Sequence, residues 1–150
     1  MSGMADGDLV GDIWNWSVAA RVDEALVRSA ISDVLDRPVT GMIKDDQHSS
    51  VLCDVYHVGG EFPTVIDLYL TPPGDELDAA SAVAVKLGAA VLLPDDTLNP
   101  TRYVLSEADG TRRAVHVDEI ETDDGTERRH LRPCTGSDPA CAVAPERRAA

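Results

Sequence analysis

Two alternating runs, Ser50 to Tyr56 and Phe62 to Leu70, flank Gly59-Gly60, and this arrangement constrains the chain more than any other feature. An apolar–polar alternation of period two is a strand signal, and a glycine pair between two such runs is a hairpin signal. With Gly59 and Gly60 as the two turn residues, Val55 pairs with Thr64, Cys53 with Ile66 and Val51 with Leu68, so one face becomes a continuous apolar surface. The opposite face carries Leu52, Asp54 and Tyr56 beside Val65, Asp67 and Tyr69. In that register Asp54 faces Val65 and Leu52 faces Asp67, which makes the two carboxylates diagonal neighbours. The hairpin therefore predicts one core face and one face suited to contact.

Around it the chain reads as alternating helix and strand signals. Residues 1–12 are Gly- and Asp-rich and are expected to be a disordered leader. Ile13-Trp14-Asn15-Trp16 is read as an extended segment that puts both tryptophans on one side, where they close the core or anchor a partner. From Asp23 to Asp36, Leu26, Val27, Ala30, Ile31, Val34 and Leu35 fall in one helical arc, and Pro38 ends the helix. Val39 to Lys44 predicts a short strand. A second helix is predicted from Glu76 to Leu87, with Asp75 as N-cap and Gly88 after its last turn. Ala89 to Leu93 reads as a buried strand. A meander follows, over Thr101 to Glu107, Arg112 to Glu121 and Glu127 to Leu131, turned at Asp109-Gly110 and Asp124-Gly125. The expected fold is α+β, a single domain over residues 13–131 in the order α-β-β-β-α-β-β-β. Its sheet is mainly antiparallel, with both helices on one face and a mobile tail over 132–150.

The formal charge is −14, and it is uneven: residues 1–125 hold 24 acids against 8 bases. Such a field repels phosphate backbones and anionic headgroups, so nucleic acid and membrane are disfavoured as partners, whereas a basic protein is attracted. No apolar run approaches the ~18 residues of a membrane span, and the start of the chain lacks the pattern of a signal peptide, so a cytoplasmic location is expected. Three cysteines make no disulfide framework, and reduced thiols are expected.

Catalytic motifs are sparse. Cys53 and His57 share a strand face but lie roughly 13 Å apart, beyond nucleophile–base contact, so Cys53 reads as a core residue. His116 and Asp118 read as part of an exposed polar ladder opposite Arg102 and Val104. His130, Cys134 and Cys141 match no paired zinc-ligand spacing. The loops at Asp95-Asp96 and Asp123-Asp124 lack the ligand order of an EF-hand, and turn formation accounts for them. No cofactor or metal site is expected, and a non-enzymatic role is favoured. Asp54 with Asp67 is the best pair for acid–base work, which keeps a small cation-dependent hydrolase as an alternative.

The run Glu61 to Leu70, the Ala-rich helix ending Lys86-Leu87-Gly88, the segment Val91 to Asp96 and the Asp109-Gly110 hairpin resemble small acidic immunity proteins of bacterial polymorphic-toxin systems. The order of elements is also similar to that of type III secretion chaperones, which are small acidic dimers. The first resemblance implies a neutraliser of a partner protein, such as a basic toxin domain; the second implies a homodimer. The residues expected at the partner surface are Asp54, Tyr56, Asp67 and Tyr69, with Asp95 and Asp96 steering.

Overall fold

A computed structural model of the chain describes residues 13–41, 51–94 and 102–135. It is an α+β fold built on one eight-stranded sheet with two helices. The strands are β1 (Trp14–Val18), β2 (Val39–Thr40), β3 (Val51–His57), β4 (Thr64–Tyr69), β5 (Val91–Pro94), β6 (Arg102–Ser106), β7 (Arg112–Thr122) and β8 (Gly125–Pro133). The helices are α1 (Glu24–Leu35) and α2 (Glu76–Leu87). The spatial order is β2-β3-β4-β1-β5-β6-β7-β8, and every pairing is antiparallel except β2 with β3. The tryptophan segment is thus a central strand ahead of the first helix, an element beyond the expected order.

Both helices begin where a carboxylate can satisfy free backbone donors. Asp23 accepts from the Ala25 N–H at 2.9 Å, and Asp75 accepts from Leu77 and Asp78 at 2.8 and 3.3 Å. Gly88 ends α2 in the left-handed region at φ 68° and donates to Ala84. Val27, Ala30 and Ile31 of α1 and Ala79, Ala80, Val83 and Ala84 of α2 are buried against Trp14, Trp16, Cys53, Val55, Ile66 and Leu68. Leu26, expected in the apolar arc, is 61% exposed, because the buried stripe of α1 is narrower than the sequence arc.

Trp14 and Trp16 settle into this core. They are 5% and 1% exposed, their rings stack with centroids 5.7 Å apart, and the Trp16 indole N–H donates to Glu76 Oε2 at 3.0 Å. Full burial of such a ring contributes about 1.5–3 kcal/mol. The pair therefore ties β1 to the start of α2.

The hairpin register differs from the one expected. Cys53 pairs with Leu68, Val55 with Ile66 and Asp54 with Asp67, and the Val58 N–H donates to the Pro63 carbonyl at 2.9 Å. Residues 59–62 form a longer loop, so the register slips by two. Slipping by two preserves which face each side chain occupies. The glycines serve a different purpose from the expected turn. Gly60 lies at φ 88°, and a Cβ there would come within 2.9 Å of the Arg128 carbonyl of β8. The Gly59-Gly60 segment is where the far edge of the sheet closes onto the hairpin loop, through the bridge between Gly60 and Arg128.

This closure builds a second apolar cluster on the face away from the helices: Phe62, Leu92, Tyr103, Leu105, Val115 and Val117. At the other end of the meander, the hairpin turn is Asp123-Asp124 rather than Asp124-Gly125, since Thr122 pairs with Gly125. The last strand also runs to Pro133, past the expected Leu131, and the Cys134 N–H donates to Ala114.

Candidate functional site

The face of β3, β4 and β1 that turns away from the helices gathers four of the six residues expected at a contact surface. Asp54 and Asp67 stand directly opposite each other, rather than on a diagonal. The Val58–Pro63 bond makes the even-numbered residues of β3 the hydrogen-bonded pairs with β4, so the two aspartate Cα atoms are about 5.5 Å apart. Asn15 continues the row: it pairs with Asp67, and its side-chain amide donates to Asp67 Oδ1. No hydrogen bond or ion pair from another described residue reaches the Asp54 carboxylate. Like charges placed directly opposite on one face are unfavourable, and here a neutral amide answers only one of the two.

Tyrosines flank the row on both sides. Tyr56 pairs with Val65, and Tyr69 with Leu52. Partial burial raises the Tyr56 phenol above its ordinary value, Asp67 and Asp54 add to this, and Arg128 opposes it. Tyr69 is also raised, by desolvation first and then by Asp67 and Asp54. Both phenols therefore remain protonated hydrogen-bond donors at neutral pH. Asp95 and Asp96, expected to steer a partner, lie outside the described residues.

A neighbouring group was not foreseen. Arg128 of β8 is opposite Glu119 of β7, with Nη2 3.6 Å from Glu119 Oε2, and its guanidinium lies 5.9 Å from the Tyr103 ring centre. The Tyr103 hydroxyl donates to the same Glu119 oxygen. The Arg128 side chain is only 11% exposed. Sequence reading missed the group because its three members sit on three strands, and only the register of β7 with β8 sets Arg128 opposite Glu119.

The other candidates resolve into structural roles. Cys53 is fully buried, and burial pushes its thiol up to about 12, which makes it inert as a nucleophile. His57 Nε2 instead contacts the Val22 carbonyl at 2.8 Å. His116, expected on an exposed ladder, is fully buried opposite Arg102. A register shift separates it from Asp118, which pairs with His130 Nδ1 at 2.8 Å and Arg132 at 3.2 Å. His130 and Arg132 depress the Asp118 carboxyl. In the Asp123-Asp124 turn, Thr122 Oγ1 donates to the Gly125 carbonyl and accepts from the Asp124 N–H, so turn formation accounts for this loop. Among the described residues no group of three His, Cys, Asp or Glu side chains is placed to hold a metal ion; Cys141 lies outside them. No helix among them is long and apolar enough to cross a membrane.

Comparison of the chain with protein-family models, with curated proteins and with solved structures gives no match.

Proposed function

We propose that this chain is a non-enzymatic cytoplasmic protein-binding module, an immunity-type neutraliser that receives a basic partner on the face of Asp54, Tyr56, Asp67 and Tyr69, with Asp95 and Asp96 steering its approach. The observation that carries this reading is the direct opposition of Asp54 and Asp67, with Asp54 unanswered by any described residue. A cationic side chain seated between them would relieve the repulsion, and the flanking phenols supply the aromatic surface and hydrogen bonds common at interface centres. The net charge of −14 supports fast capture of a basic surface.

The test is an NMR titration with a nona-arginine peptide. Shift changes concentrated at residues 52–56 and 65–69, and lost in Asp54→Asn/Asp67→Asn, support the reading. Changes spread evenly over exposed acids such as Asp23 and Asp109 overturn it. A homodimer of the secretion-chaperone kind has one observation in its favour: Leu26 and Val85, 61% and 53% exposed, on the outer helical layer. Light scattering that finds only monomer removes it.

A further inference from the structure

The loop between β4 and α2 and the end of α1 border a groove of about 300 Å³ at the start of β1. Trp14, Val34, Leu35, Pro72, Pro73 and Ala79 give it an apolar wall. Its volume is at the lower end for ligand pockets and suits one large side chain rather than a cofactor. The charged residues that line it are both acids, Asp75 and Asp78, and both are exposed. Arg112 reaches Asp78 from β7, with Nη2 2.6 Å from Oδ1, whereas Asp75 is met by no cation among the described residues. The positive end of α2 is already answered, because the Asp75 carboxylate accepts from the Leu77 and Asp78 N–H groups. α1 ends here too, capped by Asp36 and with no basic residue in its last turn, so its carbonyl end adds negative potential.

An apolar hollow with an acidic wall selects its occupant. A large apolar side chain fills the hollow, and a cation beside it is attracted by Asp75, whereas an acidic or purely polar segment lacks one gain or both. The groove is also joined to the acidic face through the chain itself. Asn15, next to Trp14 on β1, points to the opposite side of the sheet and donates to Asp67. Leu70 leads from Tyr69 into the loop, 38% exposed and at φ 61°, a left-handed backbone that is uncommon for leucine. We propose that the groove seats one large apolar side chain of the basic partner, carried next to a lysine or arginine in the partner's sequence. The inference rests on the function proposed above and names the partner's anchor, since interface energy concentrates where such a side chain enters a pocket.

The experiment is an NMR titration of the full chain with three capped tripeptides: arginine-phenylalanine-arginine, arginine-serine-arginine and glutamate-phenylalanine-glutamate. Two variants accompany it. Ala82 is exposed and lines the groove, so Ala82→Leu fills it with little change in helix propensity. Asp75→Asn removes the charge and keeps an N-cap of equal rank. The first peptide is expected to move the Trp14 indole signal and the amides of Val34, Leu35, Ala79 and Ala82. Its affinity is expected to fall about tenfold in Ala82→Leu and several-fold in Asp75→Asn, and the other two peptides to bind about tenfold more weakly. Unmoved groove signals, or equal affinity for the serine or the glutamate peptide, overturn the proposal. Movement of the same signals on dilution of the chain alone, or on removal of residues 1–10, makes the occupant a second copy or the chain itself and also overturns it. Shift changes confined to residues 52–56 and 65–69 overturn the groove and leave the acidic face standing. Changes at the groove with none on that face, also for nona-arginine, overturn the face and leave the groove.

Discussion

Asp54 and Asp67 face each other across β3 and β4 as a hydrogen-bonded pair of residues, with one carboxylate answered by Asn15 and the other by no described residue. Placing like charges there lowers stability, and functional surfaces are where such local conflicts persist. Asp54→Asn is therefore expected to raise stability by about 0.5 kcal/mol while weakening capture of a basic probe. Urea denaturation with the peptide titration checks both halves. A variant that loses stability would mean that Asp54 has a structural role.

Cys53 gives the chain an alkaline sensitivity. Its thiol ionises near 12 in the folded state against an ordinary 9.0, because burial disfavours the thiolate. The unfolded chain thus releases this proton first as pH rises, so the contribution is complete below about pH 9 and is lost between 9 and 12, by on the order of 4 kcal/mol. Tyr56 and Tyr69, whose phenols are also raised above their ordinary 10.0, act in the same direction at somewhat higher pH, so the test is a difference. Cys53→Ala should be less stable at pH 7 and show a flatter decline above pH 9. Parallel curves for the two proteins would refute the assignment.

Ser106 is fully buried on β6, and its hydroxyl has no hydrogen-bond partner among the described residues. An orphaned buried hydroxyl costs more than the packing that a methyl group forgoes. Ser106→Ala is expected to stabilise the fold by about 1 kcal/mol, read as a higher urea midpoint at constant slope.

Trp16→Phe keeps an aromatic ring in the core but removes the indole bond to Glu76 and much of the stack with Trp14. A loss of about 1–2 kcal/mol is expected. The coupled far-UV circular-dichroism signal of a stacked tryptophan pair should vanish with it, and its survival would place the rings apart.

Much of this architecture was legible locally. Asp75 and Gly88 bound α2 at the expected ends, because caps are short-range signals. The two faces of the β3–β4 hairpin were legible from alternation alone, and they survived a wrong register because the error was two residues. That register was illegible because the glycines answer to Arg128, a contact made by the sheet closing rather than by the loop itself. The Arg128–Tyr103–Glu119 group spans β8, β6 and β7, and pairing of Arg132 and Pro133 with His116 and Val115 carried β8 past Leu131. Leu26 failed for another reason: periodicity shows which residues share an arc, and only packing decides how wide the buried arc is.

The place of β1 has a consequence for how the chain comes together. Trp14 pairs with Leu68 and Val18 with Val91, so the first of the described strands fills the gap between two strands made well after it. During synthesis, which runs from the amino terminus, these residues leave the ribosome before β4 and β5 and then wait for both partners to follow. Until they insert, β4 and β5 each present an open edge, and the two halves of the sheet have no common strand. Such non-local pairing is slow to form. Of the described strands, the first to be made is expected to be among the last to be seated, because both of its partners are made after it.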